Sequence, residues 1–157
     1  MTSSALLTLI QSELELIEHF IFTLEKEHET LLSSYSNDEL FDLTEIKNQY
    51  AERLDNAAQQ REQLLQQLNL PTGRPGLLEA RLLDPALAKA VDTLLALAEQ
   101  AKTLNEKNGV LIQAYLNYTT EALSAFGQAA TSPNQDVYDA QGKKQTGLAA
   151  RRGYIQA

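Results

Sequence analysis

The sequence predicts an all-α protein: an elongated antiparallel three-helix bundle, or coiled coil, with a long third helix and a flexible C-terminal tail. Three observations lead to this fold. Apolar residues recur at steps of three and four in three segments, as on the buried face of a helix. Turn-forming residues separate the segments. The periodicity then ends near residue 130, so we expect a helical domain over 1–130 and a tail over 131–157.

The first helix is predicted over 3–34. Its apolar stripe steps without interruption through Leu7, Ile10, Leu14, Ile17, Ile21, Leu24, His28 and Leu31. The opposite face is predicted to be the acidic one, with Glu13, Glu15, Glu18, Glu25, Glu27 and Glu29. His28 lies in the stripe, where we expect a partly buried histidine satisfied by a neighbour. The alternative is a metal ligand or a pH switch.

The second helix is predicted over 37–68, after a turn at 34–38 in which Ser36 or Asn37 can cap it. Its stripe contains two cations, Lys47 and Arg61. Their stems can cover apolar surface while the charged ends reach water or a carboxylate, and the alternative is a binding role. Because the two helices match in length and a short turn joins them, they should be antiparallel.

A loop over 69–76, rich in proline and glycine, should end the second helix, and a short helix is possible over 77–83. The third helix is predicted over 85–130, with Asp84 as its cap and Pro85 in its first turn. It would be roughly 69 Å long and exceed its partners by roughly 20 Å. The stripe we expect on it is Leu87, Val91, Leu94, Ala98, Ala101, Asn105, Asn108, Ile112, Tyr115, Thr119, Ala122 and Phe126.

A polar step interrupts the third stripe at Asn105, Asn108 and Gly109. Polar stripe residues fix helix register at a cost in stability, and glycine costs about 1 kcal/mol relative to alanine. We expect this step to set register and a close helix approach. A hinge or a binding step is the alternative.

Composition argues against an enzyme. The chain has no cysteine and only two histidines, His19 and His28, so thiolate chemistry and cysteine metal sites are absent. No strand pattern or phosphate loop occurs. Glu-x-x-His occurs once, at 25–28, whereas the carboxylate site of di-iron bundles takes this motif from two helices. We therefore expect no catalytic residues, no metal and no cofactor.

Charge and hydropathy limit the partners. A net charge of −8 argues against nucleic acid, and the apolar runs are too short for membrane insertion. The N-terminus lacks a signal-peptide pattern, so we expect a cytoplasmic protein. Residues 140–157 carry four bases and no acid, which indicates contact with the acidic body or an acidic partner; a tail kept soluble by its charge explains them equally well.

Several segments resemble the FlgN family of flagellar export chaperones. They are REQLL at 61–65 and LNL at 68–70 in the second helix, LNEKNGVLI at 104–112 in the third, and YDAQGK at 138–143 in the tail. The resemblance implies a chaperone that binds the C-terminal helical segments of the two hook–filament junction proteins, which are hook-associated proteins. It would prevent their premature assembly and deliver them to the export gate or export ATPase complex.

The resemblance also implies where binding takes place. The client would lie on the C-terminal half of the third helix, at Ile112, Tyr115, Leu116, Thr119, Ala122, Leu123 and Phe126. Sparse apolar residues of the tail would clamp the client or dock at the export gate: Val137, Tyr138, Leu148, Tyr154 and Ile155. Tyr138 is the first candidate for docking.

Other interpretations stay open at this point. A coiled-coil adaptor or regulatory protein would self-associate through the long helix and would not need the tail. A regulator of a transcription factor, or a nucleic-acid binder acting through the basic tail, would bind with a steep salt dependence. An enzyme would require a bound metal or another site that the sequence does not indicate.

Overall fold

The computed structural model describes residues 2–33, 37–129, 137–138 and 144–145, and confirms the all-α class. Four helices form in chain order: α1 (Thr2–Leu32), α2 (Asn37–Gln67), α3 (Gly73–Ala80) and α4 (Pro85–Ala129). Two short strands follow, β1 (Val137–Tyr138) and β2 (Lys144–Gln145). They pair antiparallel, with Val137 opposite Gln145 and Tyr138 opposite Lys144. These strands were not predicted, because two residues are too few to show alternation.

The chain divides into two compact units, Met1–Ile112 and Gln113–Ala157, and α4 belongs to both. The first unit contains α1, α2, α3 and the N-terminal part of α4. The second contains the rest of α4 and the strand pair. The predicted division into a helical domain at 1–130 and a tail at 131–157 stays a prediction, since most tail residues lie outside the described part of the chain.

Within the first unit, α1 and α2 are antiparallel, as predicted. Glu13 on α1 is paired with Arg61 on α2, and Glu27 is paired with Lys47. From the first pair to the second, the residue number on α1 rises by fourteen while the residue number on α2 falls by fourteen. The two helices therefore run in opposite directions. This alignment follows from the short connection between two helices of 31 residues each.

The first part of α4 packs parallel to α1 along two apolar clusters. In the first cluster, Leu6 and Ile10 of α1 are buried with Leu87, Val91 and Leu94 of α4, and Leu65, Leu77 and Ala80 close it from α2 and α3. In the second cluster, Ile17, Ile21 and Leu24 are buried with Ala101. Residue numbers rise together along both helices, so α1, α2 and α4 are arranged up, down and up.

Two carboxylates contradict the predicted acidic outer face of α1. Glu13 is 5% exposed and Glu27 is fully buried. The prediction was wrong because it placed every acid in water. These two lie on the α2 side of the helix, where each meets a cation.

The stripe predicted for α4 is wrong at Ala98 and Asn105, which are exposed. Leu97 and Leu104 instead pack against the second cluster. From Leu94, the next residue toward the core is three positions along, at Leu97, and the one after it is four positions further, at Ala101. The predicted order was four and then three. Both orders fit a seven-residue repeat, and the larger apolar side chains determine which one is buried.

The short helix was predicted four residues too late and too long at its C-terminal end. α3 covers Gly73–Ala80 and includes Pro75 and Gly76. Proline is accepted there because the first N–H groups of a helix have no intrahelical partner. Gly73 adopts φ 72°, and its N–H donates to Glu62 Oε2 at 2.7 Å, which fixes the start of α3 against α2. Asp84 caps α4 as predicted, accepting from the Ala86 N–H at 2.6 Å.

Gly76→Ala is expected to destabilise the protein by about 1–3 kcal/mol, because its Cβ would lie 1.8 Å from the Pro71 carbonyl oxygen. Gly109→Ala is the matched control: a Cβ there meets nothing within 4 Å, and we expect a gain of about 0.4–1 kcal/mol. Urea unfolding followed by circular dichroism measures both. Equal effects at the two positions would contradict the close approach at Gly76.

Within the described residues, no helix combines the length and apolar character needed to cross a bilayer.

Candidate functional site

The C-terminal half of α4 presents an apolar face to solvent. Ile112, the last residue of the first unit, is half-buried. In the second unit, Tyr115 is 39% exposed, Leu116 51%, Leu123 67% and Phe126 74%, while Thr119 and Ala122 are half-buried. At about 100° per residue, the six predicted client-binding residues of the second unit fall on one face about 120° wide. The structure therefore brings these six together along one helix.

Tyr118 extends this face and was missed. It is 71% exposed and lies about 40° from Ala122 around the helix. It was not predicted because it lies beyond Ala122, outside the arc of the seven predicted residues. An apolar face that is exposed rather than packed is not restricted to the stripe, so an aromatic residue at its edge was the available signal.

The face is almost free of charge. From Asn108 to the end of α4, the only charged residue is Glu121, which lies on the opposite side of the helix. Four polar side chains there, Gln113, Asn117, Thr119 and Thr120, form hydrogen bonds within the helix itself. The Thr119 hydroxyl donates to the Tyr115 carbonyl at 2.9 Å, and Gln113 donates to Asn117 at 3.0 Å. What this face offers a partner is therefore mainly apolar contact.

A buried polar cluster fastens α4 to α1 just before this face. Asn108 is fully buried, and its amide donates to the Leu24 carbonyl at 2.8 Å and to Glu27 Oε1 at 2.9 Å. Its oxygen lies 2.9 Å from His28 Nδ1, so that nitrogen is the donor. The prediction that His28 is satisfied by a neighbour is confirmed.

These hydrogen bonds join Asn108 to α1, whereas Gly109 does not provide a close helix approach. The role of the step in setting register stays a prediction. Gly109 is exposed, and no atom outside its own helix backbone lies within 4 Å of its Cβ position. The expectation of close packing was wrong at this residue, because Asn108 directs its side chain to α1 and the next residue points about 100° away.

The two cations in the α2 stripe reach carboxylates, as predicted. Lys47 Nζ donates to Glu27 Oε2 at 2.8 Å, and Arg61 Nη1 donates to Glu13 Oε1. Both cationic side chains are largely covered, at 17% and 13% exposure. His19, the other histidine, stacks on Tyr50 with the ring centres 5.7 Å apart. In the described part of the chain, no group of three potential ligands could hold a metal ion.

The tail positions are only partly within the described residues. Val137 and Tyr138 form β1. Leu148, Tyr154 and Ile155 lie outside the described residues.

Comparison with protein families decides the family. The family model described as FlgN protein matches residues 1–146, which includes every described residue. The chain belongs to the FlgN family. FlgN membership implies a flagellar export chaperone that binds hook-associated proteins. Neither the curated proteins nor the solved structures contain a match to this chain.

The extent of the FlgN match bears on the predicted tail sites. Tyr138 and the YDAQGK segment at 138–143 fall inside it, as does the whole of α4. Leu148, Tyr154 and Ile155 fall beyond residue 146. Roles for those three therefore have no support from FlgN membership.

Proposed function

We propose that this FlgN-family protein is a cytoplasmic, substrate-specific chaperone of flagellar type III export. Its clients are the hook–filament junction proteins, and it binds their C-terminal helical segments. It keeps these segments from assembling early and delivers them to the export apparatus. It acts by binding alone, without catalysis.

The exposed apolar face of α4 carries this proposal. Three large apolar side chains on this one helix, Phe126, Leu123 and Tyr118, are each at least two-thirds exposed. Large apolar side chains grouped on a surface mark a binding site more often than scattered ones do. An amphipathic client helix would bury its own apolar side against them.

The lack of charge on this face defines how the client is recognised. With Glu121 on the opposite side, little electrostatic attraction contributes to affinity. Binding should therefore depend on buried apolar area and change little with salt. This behaviour differs from that of a nucleic-acid binder, whose affinity falls steeply as salt increases.

The tail completes the proposal. Val137 and Tyr138, followed by Leu148, Tyr154 and Ile155, would close over the bound client or contact the export gate or export ATPase complex. Tyr138 is the first candidate for gate contact, because it lies within the family match.

A second function draws on the same observation. An exposed apolar helix face can also pair with its own copy, as in a coiled-coil adaptor. In that case the protein would self-associate through α4, with no requirement for a client or for the tail.

Calorimetric titration with the C-terminal helical segment of a hook–filament junction protein tests the proposal. The full chain and a version ending at Ala130 are compared. We expect saturable binding by the full chain. Loss on truncation would assign the tail to the clamp, whereas retained binding would assign the client to α4. If neither version binds while the protein self-associates, the adaptor function replaces the chaperone function.

A further inference from the structure

Charged and apolar layers alternate regularly along the contact between α1 and α2. Glu13 pairs with Arg61 and Glu27 pairs with Lys47, fourteen residues further along each helix. Midway between these pairs, Phe20 and Leu54 both pack against the second apolar cluster. One heptad beyond the first pair, Leu6 and Leu68 lie in the first cluster. In each of the four layers the two residue numbers total 74.

The charges in these layers are segregated by helix. Both acids lie on α1 and both bases lie on α2, and all four side chains are largely covered. A slip of one heptad would place each acid opposite an apolar layer and leave four buried charges without partners. An unpaired buried charge is strongly unfavourable, so the registers slipped by one heptad in either direction are disfavoured relative to the observed one.

The same segregation acts against copies of the same helix. If α1 paired with α1 of a second molecule, the covered carboxylates would meet other carboxylates or apolar side chains. If α2 paired with α2 of a second molecule, the covered cations would meet other cations or apolar side chains. Neither helix is complementary to itself, although each carries an apolar stripe that would otherwise favour such pairing.

The layer at Glu27 also involves α4. Lys47 donates to one oxygen of the Glu27 carboxylate, and the Asn108 amide donates to the other. A single buried carboxylate therefore sets the positions of α2 and of α4 relative to α1. One of its oxygens accepts from the charged Lys47 and the other from the neutral Asn108 amide. If α2 slipped along α1, it would no longer place Lys47 at this carboxylate.

We propose that the two charged layers make α1 and α2 selective for each other in one register, so that neither a second copy nor an unrelated apolar helix replaces α2 on α1. For a protein whose proposed task is to hold apolar helices on α4, this selectivity keeps such helices out of its own core. The register itself does not depend on the proposed function.

The absence of native cysteine allows a direct test in the full chain. Ser12 on α1 and Gln60 on α2 line the same groove, whereas Arg53, one heptad before Gln60 on α2, does not. Cysteines at 12 and 60 report the native register, whereas cysteines at 12 and 53 report a register slipped by one heptad. In the otherwise unchanged chain, we expect the first pair to cross-link at least about tenfold faster.

The test variant replaces both layers by neutral residues: Glu13→Leu, Arg61→Leu, Glu27→Gln and Lys47→Met. We expect the two cysteine pairs to cross-link at similar rates in this background, with additional association measured by sedimentation velocity. The matched control exchanges charges, Glu13→Arg with Arg61→Glu, and should keep the original preference and association state.

Two results would overturn the proposal. One is a neutral variant that keeps about tenfold preference and an unchanged association state. The other is a charge-exchanged variant that loses the preference. If the neutral variant does not fold, Glu13→Leu with Arg61→Leu alone is used; an unchanged preference in it, together with failure of the exchanged variant, also counts against the proposal. None of these measurements uses a client, so they are independent of the chaperone function.

Discussion

Phe126→Asp should weaken binding of the client segment by about 30-fold or more while leaving the helix content unchanged. Phe126 is 74% exposed, so its replacement leaves no cavity in the first unit. Truncation of an aromatic anchor in an interface can cost about 2 kcal/mol or more, and aspartate adds the cost of placing a charge against an apolar partner. Calorimetry with the client segment measures the affinity, and circular dichroism measures the helix content.

Ser124→Asp provides the matched control for this prediction. Ser124 is exposed on the same helix, two residues away, and points about 160° from Phe126. The Ser124→Asp substitution introduces the same charge as Phe126→Asp in the same stretch of α4. Affinity reduced equally by both substitutions would mean that charge on α4, and not the apolar face, governs binding. Unchanged affinity in Phe126→Asp would move the client site elsewhere.

Lys47→Met is expected to lower the free energy of unfolding by about 3–5 kcal/mol, because it leaves the Glu27 carboxylate buried without its cation. Methionine approximates the length of lysine, so the packing loss is small. The carboxylate would keep only the Asn108 amide as a donor among its described contacts. Chemical denaturation at neutral pH measures the change.

Lys26→Met is the matched control for Lys47. Lys26 makes an ion pair with Glu29 at a similar distance, 2.9 Å, but its side chain is 48% exposed. Exposed pairs contribute about 0–1 kcal/mol, so this substitution should have little effect. Equal losses from the two lysines would show that burial does not determine the strength of the Glu27 pair. A gain in stability from Lys47→Met would contradict the prediction directly.

The helices could be predicted from the sequence because their stripes are long and their caps are distinct. Asp84 and Pro85 marked the start of α4, and the structure begins the helix there. The two stripe cations, Lys47 and Arg61, were correctly expected to reach carboxylates. Which carboxylates they contact was not predicted, since a buried glutamate in an acid-rich helix has the same residue type as the exposed ones around it.

A signal for the buried acids was nevertheless present. Glu13 and Glu27 are fourteen residues apart, as are Lys47 and Arg61, and antiparallel helices bring equal spacings into register. The order of steps in α4 also had a signal, because both orders fit the repeat but only one of them places the leucines at 97 and 104 on the buried side. For the candidate site, periodicity identified the apolar face of α4. It could not distinguish a face packed in a core from one open to solvent, as the same residue types serve both.

The parallel course of α1 and the first part of α4 determines where labels can be attached. Thr2 begins α1 beside the start of α4, whereas Leu32 ends α1 near the level of Ile112. Thirty residue steps of helix separate these positions by about 45 Å. A fluorophore or surface tether at Thr2 therefore lies a full helix length from Ile112, the last residue of the first unit.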